Sequence, residues 1–354
     1  MPTVWLLSAY RADSHAAWAD WLADHIAGID WRVLELPGRN FAWRIRGNPL
    51  SWIDRLPDTP PDRILATSMV DLATLRGLHP RLAGVPCWYY FHENQFAYPL
   101  SKRQVRTIEP RIVQLYGALA ADRLLFNSAF NRDSFLAGVD EFLELMPDAV
   151  PSGLRERLAA RASVLPVPVE PVPAGTDRDR RLLLWNHRWE YDKAPEVFAE
   201  ALLELDARGI EFRVALLGRR GRGGHPALER LRRAMPGRIV ADGRLDEIDY
   251  RALLGRCGLA VSTAIHEFQG ISMLEAASAG ASVAVPDALC YREQYPAECR
   301  YRPGDAEALA GHLARVLEAP QPASAPDVSS WLAPAVAPRW QALLNADQSS
   351  TSSR

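Results

Sequence analysis

Short apolar runs alternate with helical patterns through the front of the chain, stop at a cluster of prolines, and then start again. The first set of runs occupies residues 4–8, 32–35, 63–67, 85–91 and 123–126, with an amphipathic stretch at 14–27 and a long helical pattern at 104–120. Such alternation predicts parallel sheets covered on both faces, because each crossover between parallel strands is long enough to hold a helix. Pro166, Pro168, Pro171 and Pro173 then remove backbone donors and fix an extended path. Beyond them, strands at 181–185, 212–217, 239–241, 259–263 and 282–285 accompany a helix at 195–208 that ends at Gly209. The chain therefore reads as α/β with two Rossmann-like doubly wound domains, at 1–168 and 181–330, joined by a stiff linker at 169–180. A helix at 331–345 is expected to pack back on the first domain, and 346–354 reads as a disordered tail. Ligands of such sheets lie beyond the carboxyl ends of the strands, so the expected site is a cleft that the two domains face.

A length of 354 residues suits two ordinary domains. The formal net charge of −2 means that any nucleic-acid contact must come from local patches rather than a global basic field. Cys87, Cys257, Cys290 and Cys299 show neither metal-ligand spacing nor a disulfide framework, which points to a reduced, cytoplasmic setting. Residues 4–8 are apolar but far too short to span a bilayer, and the basic start and cleavage pattern of a signal peptide are missing. No membrane partner is expected.

The densest chemistry lies in Ile265-His266-Glu267-Phe268-Gln269-Gly270-Ile271-Ser272-Met273-Leu274-Glu275-Ala276. A buried strand leads in, and a helix over 271–279 closes at Gly280, which puts Glu267 in the loop and Glu275 inside the helix. At the helical rise, Glu275 falls about 7 Å beyond the amides of Gly270, Ile271 and Ser272. Those amides and the helix dipole form a ready place for an anion such as a diphosphate. Gly270 lets it approach the backbone without a side chain between. One carboxylate can then reach a ribose and the other a sugar on the far side, which outlines a nucleotide-sugar site.

Four stretches carry a family resemblance: Tyr90-Phe91-His92-Glu93-Asn94-Gln95, Asn186-His187-Arg188-Trp189-Glu190-Tyr191-Asp192-Lys193, Ser262-Thr263-Ala264-Ile265-His266-Glu267-Phe268, and Tyr295-Pro296-Ala297-Glu298. The layout and the E-x7-E element look like a retaining GT-B glycosyltransferase of the family 4 type. The chain resembles more closely still the tRNA-queuosine mannosyltransferase family, over most of its length. The resemblance implies transfer of α-mannose from GDP-mannose to the cyclopentenediol of queuosine in a tRNA anticodon, with aspartate tRNA as acceptor. One departure is Tyr10-Arg11-Ala12-Asp13 before Ser14-His15, where similar proteins tend to have glycines.

Within that frame Glu275 accepts hydrogen bonds from the ribose, and Glu267 holds mannose hydroxyls near the reacting carbon. Arg188 and Lys193 suit the leaving diphosphate, whose charge rises as the glycosidic bond breaks; the competing reading is an ion pair with Glu190 or Asp192. Asn186 and His187 are expected near the sugar, and Asn127 touches the donor while Ser128 caps the next helix. His92 ends the aromatic strand and is read as a sugar contact or proton relay, against a satisfied core histidine. Gly218 and the glycines after it approach the nucleotide or form a flexible basic loop, and residues 242–245 are a further candidate for the base pocket. No Asp-x-Asp element is placed to hold a catalytic metal, so neither metal nor cofactor is expected.

On the acceptor side stand Ser14, His15 and Asn94. For RNA there are residues 39–46, with Arg39 and Arg44 between aromatics, and 101–106, with Lys102 and Arg103. Aromatics and arginines together stack unpaired bases and meet phosphates; otherwise 39–46 is a surface loop whose aromatics pack on the first domain. The alternatives to this function are another nucleotide sugar, a glycan or lipid acceptor, or an RNA-binding relative without catalysis.

Overall fold

The computed structural model describes residues 1–99, 107–220 and 225–346. It divides into two compact units, Met1–Val167 together with the chain from Val336 onward, and Pro168–Ala335. In the first, β1 (Thr3–Arg11), β2 (Asp30–Pro37), β3 (Arg63–Thr67), β4 (Cys87–Phe91), β5 (Arg123–Phe126) and β6 (Ala162–Val164) form one sheet in the order β2-β1-β3-β4-β5-β6. Its helices are α1 (Asp13–His25), α2 (Phe41–Ser51), α3 (Leu72–Leu78), α4 (Glu109–Ala120), α5 (Ala129–Glu144) and α6 (Leu154–Ala159). All pairings are parallel. Every residue of β3 and β4 is buried, as strands covered on both faces require.

The second sheet contains β7 (Asp179–Asn186), β8 (Arg213–Leu217), β9 (Ile239–Gly243), β10 (Cys257–Val261), β11 (Ser282–Pro286) and β12 (Arg300–Tyr301), in the order β12-β11-β10-β7-β8-β9. Around it lie α7 (Pro195–Ala207), α8 (Pro226–Ala234), α9 (Glu247–Arg256), α10 (Ile271–Ser278), α11 (Tyr291–Gln294) and α12 (Ala306–Glu318). Strand order reverses between β7 and β10, the kind of switch point beyond whose carboxyl ends ligands of such sheets bind. The last helix, α13 (Ala333–Ala346), buries Trp340 against Trp18 and Tyr90 of the first unit, and its indole donates to the Pro166 carbonyl at 2.9 Å.

Two elements differ from expectation. The helix predicted from 104 begins at Glu109, with Pro110 in its first turn, where a missing amide hydrogen and a fixed φ are tolerated. Residues 39–46 enter α2 rather than a loop, despite Pro49 inside that helix. Proline deprives the Ile45 carbonyl of its helical donor. The Asn48 side chain fills that role, donating to the Ile45 carbonyl at 3.2 Å and the Arg44 carbonyl at 2.9 Å. The four cysteines are free and buried. No helix among the described residues is long and apolar enough to cross a membrane.

Candidate active site

In the second unit the loops after β7 and β10 are stitched together although the residues involved are far apart in sequence. The Trp185 indole donates to Thr263 Oγ1 at 3.1 Å, and that hydroxyl donates to the Lys193 carbonyl at 2.7 Å. The Ile265 amide donates to the Asp192 carbonyl at 2.9 Å. Lys193 is buried among acceptors: Nζ lies 2.6 Å from the His266 carbonyl, 3.1 Å from Glu267 Oε2 and 3.4 Å from Asp192 Oδ2. Asp192 is only 1% exposed. Burial pushes the Glu267 carboxyl up, yet Lys193, His187 and the Gly270 amide together hold it down at about 2. Burial lowers the Lys193 ammonium while Glu267 and Asp192 more than restore it, so both partners stay charged.

Glu267 also accepts from the Phe268 amide at 3.1 Å. The Gly270 amide is therefore turned to this carboxylate rather than left open for an anion, a correction to the three-amide site read from the sequence. Ile271 and Ser272 open α10 without a side-chain cap. Gly270 has φ +63, and a Cβ there would sit 2.8 Å from the Tyr291 ring, whose hydroxyl is 2.7 Å from Ser262 Oγ. Inside α10, Glu275 Oε2 accepts from the Tyr250 hydroxyl at 2.7 Å, and that phenol accepts from Asn186 Nδ2 at 2.9 Å. Burial raises the Glu275 carboxyl, opposed first by Tyr250. Gly218, at the end of β8, has φ +98, and a Cβ there would fall 1.9 Å from the His187 carbonyl oxygen. Arg188 is 49% exposed and pairs with Glu190 at 2.8 Å and Asp192 at 3.5 Å.

The first unit gathers a second cluster beyond β4. The rings of His15 and His92 stack at 4.2 Å, with Trp18 and Tyr90 edge-on to His92 at 4.6 and 4.7 Å. His92 Nε2 is buried without a hydrogen-bond partner. Burial first, and then His15, push the His92 imidazole well down, while burial alone takes His15 to about 4.

A family model described as tRNA-queuosine alpha-mannosyltransferase N-terminal matches residues 3–169, and one described as Glycosyl transferases group 1 matches residues 180–319. A curated tRNA-queuosine alpha-mannosyltransferase of Drosophila melanogaster is 33% identical over 319 residues, 86% of this chain and 85% of its own. The chain belongs to the tRNA-queuosine α-mannosyltransferase family. Solved structures with the same fold include a sucrose-phosphate synthase from Thermosynechococcus elongatus (13% identity, 99% and 100% of the two chains, TM-score 0.75). A lipopolysaccharide outer core galactosyltransferase (13%, 97% and 99%, 0.67) and Anabaena HepE in complex with UDP (14%, 99% and 100%, 0.68) are similar too. With two parallel six-stranded units, this queuosine mannosyltransferase family member is a glycosyltransferase of the GT-B fold.

The structure brings together Asn186, Arg188, Lys193, Gly218, Glu267, Gly270, Ile271, Ser272 and Glu275 around the ends of β7, β8 and β10. It gives Asn94 and Asn127 a different part. Asn94 is fully buried and donates to the Asn131 carbonyl, Asn131 Oδ1 and Ser134 Oγ, while accepting from the Phe96 and Ala97 amides. Its hydrogen-bonding capacity is spent on its own loop and on α5, which leaves nothing for an acceptor. Asn127 donates to the His92 carbonyl at 2.8 Å and accepts from Asn131, so it positions His92 rather than touching a donor. Ser128 caps α5, its Oγ accepting from the Asn131 amide at 3.0 Å. Arg44 is buried and donates to Ser51 Oγ at 3.3 Å, so it does not face RNA. Arg39 and Ser14 are exposed, and His15 is buried in the histidine stack. Lys102 and Arg103 lie outside the described residues, as do the glycines at 221, 223 and 224. Asp242 is engaged by Arg220 and by Arg232 at 2.6 Å. Tyr250 and Tyr291 were not singled out by sequence, where neither belongs to a recognisable spacing. Among the described residues no group of three or more His, Cys, Asp or Glu is arranged to hold a metal ion.

The histidine stack carries a pH signature. His15 falls from 6.5 to about 4 in the folded chain and regains its ordinary proton affinity on unfolding. The unfolded chain then holds more protons between those values, so this stability is complete above pH 6.5 and is lost as pH falls toward 4. Urea midpoints measured at about pH 7.5 and about pH 5 should therefore drop on acidification. His15→Phe keeps a stacking ring without a titrating nitrogen and should shrink that drop. An equal drop in both proteins would refute the assignment.

Proposed function

We propose that the chain transfers α-mannose from GDP-mannose to a cyclopentenediol hydroxyl of queuosine in the tRNA anticodon, with aspartate tRNA as acceptor. The observation that carries this reading is the carboxylate pair Glu267 and Glu275 flanking the uncapped start of α10, in a member of this family. The nucleotide ribose meets Glu275, and the diphosphate rests on the Ile271 and Ser272 amides at the positive end of α10. Arg188, half-exposed and paired with Glu190 and Asp192, adds its charge to the diphosphate. Lys193 contributes charge rather than a free hydrogen bond, since its three protons already face acceptors. Its main task is to hold Glu267 charged for the mannose hydroxyls. On the first unit, His92, stacked on His15 and kept neutral by burial, is the group assigned to an acceptor hydroxyl. Exposed Arg39, and Trp43 with 52% of its surface open, suit stacking and phosphate contact with unpaired bases.

Chemically, the acceptor oxygen bonds to the anomeric carbon on the face from which the diphosphate departs. The carbon–phosphate oxygen bond breaks, and the acceptor proton passes to the leaving phosphate oxygen. Configuration is retained without a covalent intermediate. A trapped mannosyl-enzyme would overturn this route.

Incubation of the chain with GDP-mannose and queuosine-containing tRNA, followed by nucleoside mass analysis, should add one hexose to queuosine and nothing to a tRNA with unmodified guanosine. Glu275→Ala should cut turnover at subsaturating donor by about ten- to a hundredfold, the loss of one charged hydrogen bond to a ribose hydroxyl. Product from a uridine-based donor but not from GDP-mannose would overturn the donor assignment.

A further inference from the structure

The carboxylate of Glu275 does not stand alone. Asn186 closes β7, Tyr250 sits on α9 and Glu275 on α10, and a single chain of hydrogen bonds joins them. The chain has one direction. The carboxamide nitrogen of Asn186 can only donate, so it occupies a lone pair of the Tyr250 oxygen at 2.9 Å. The phenol proton is thereby aimed at Glu275 Oε2, 2.7 Å away. Oε2 accepts from the phenol, and the carboxylate has a second oxygen, Oε1, with which to accept a further hydrogen bond.

We propose that Tyr250 is a positioning residue for the nucleotide half of the donor, fixed as a one-way donor by Asn186 so that Glu275 presents Oε1, charged and in one orientation, to a ribose hydroxyl. This rests on the reading that Glu275 meets the donor. Two independent features of the packing support it. A carboxylate inside a helix has several rotamers, and an anchor from a neighbouring helix removes all but those that reach it. Burial favours the neutral acid, and a neutral carboxyl would compete as a donor with the hydroxyl it has to accept from. The Tyr250 proton is the leading influence that opposes burial at Glu275. The other charged groups that reach Glu275 are Arg251 and Glu247, also on α9, and they act in opposite directions; Cys257 faces the phenol from β10.

The test is steady-state kinetics of the full chain with GDP-mannose and queuosine-containing tRNA across pH. Tyr250→Phe removes one oxygen and keeps the ring. It should raise the donor KM about tenfold, the worth of one hydrogen bond to a charged group, with the tRNA KM unchanged. It should also move the acid limb of kcat/KM for the donor to higher pH, because the push of burial on Glu275 loses its leading opponent. Asn186→Ala, which frees the phenol to turn away, should shift both quantities the same way by a smaller factor. A purely structural tyrosine would lower the melting temperature of Tyr250→Phe and leave the donor KM and acid limb in place, and that result overturns the proposal. Glu275→Gln separates the two levels. If it raises the donor KM while Tyr250→Phe does not, only the relay is wrong; if Glu275→Gln leaves the donor KM unchanged, the donor reading and the relay fall together.

Discussion

Lys193→Met should destabilise the chain by about 3–5 kcal/mol, the usual cost of breaking a buried ion pair from one side. The methionine keeps most of the stem volume, so the loss comes from charge. Glu267, 23% exposed, would lose its cation, and Asp192, almost wholly buried, would keep only the longer 3.5 Å contact with Arg188. The pH dependence should also change sign. In the native chain Glu267 sits at about 2, below its ordinary 4.5, so its stabilising contribution is present above pH 4.5 and is lost as pH falls toward 2. Without the ammonium, burial of the Glu267 carboxyl is opposed only by His187 and the Gly270 amide, and its proton affinity rises. Stability then falls as pH rises through neutrality. Chemical denaturation at about pH 5 and about pH 8 decides the matter: the native chain should show no loss from this pair on raising the pH, and the variant a clear one. A variant as stable at pH 8 as at pH 5 would mean that Lys193 does not hold these carboxylates. Transfer should be abolished at either pH, since Glu267 would no longer be fixed as a charged acceptor.

Gly218→Ala should be nearly as damaging, on geometric grounds alone. The glycine has φ +98, and the new methyl carbon would fall 1.9 Å from the His187 carbonyl oxygen and 2.5 Å from its carbon. Both obstacles are backbone, so no side-chain rotation relieves them. Strain at positive φ and the overpacking together come to about 3–5 kcal/mol. The damage reaches the chemistry because the two loops are tied there: the Trp189 amide donates to the Arg219 carbonyl at 2.9 Å, and its indole to the Leu217 carbonyl at 3.2 Å. Pushing them apart displaces His187 and Arg188. Gly209→Ala is the control, with φ +72 and nothing within 4 Å of the new carbon. It should cost only about 1 kcal/mol and leave activity in place. Thermal melts and donor KM of the two variants separate close approach from backbone strain; equal effects would remove the contact from the argument.

Much of this was legible in the chain. Residues 181–185, 259–263 and 271–279 announce β7, β10 and α10 because buried parallel strands are continuous apolar runs and glycines mark their exits. The pairing of Lys193 with Asp192 was visible as a neighbour relation, while its pairing with Glu267 depends on sheet order, which no local pattern encodes. Asn94 and Asn127 misled for a related reason. A polar residue after a strand looks the same whether it meets a ligand or satisfies a buried loop, and Asn131, the partner of both, lies on α5. Arg44 and Trp43 are adjacent in sequence, yet α2 turns one inward and the other to solvent. Tyr250 acts across two helices, and only the fold brings it to Glu275.

The switch between β7 and β10 has an evolutionary corollary. Asn186, Lys193, Gly218, Tyr250, Glu267 and Glu275 all belong to Pro168–Ala335, so the machinery assigned to the sugar nucleotide is a property of one lobe. Ser14, Arg39, Trp43 and His92 belong to the other. A lineage could exchange one recipient nucleoside for another by drift in the amino-terminal lobe while inheriting its hexose supply intact.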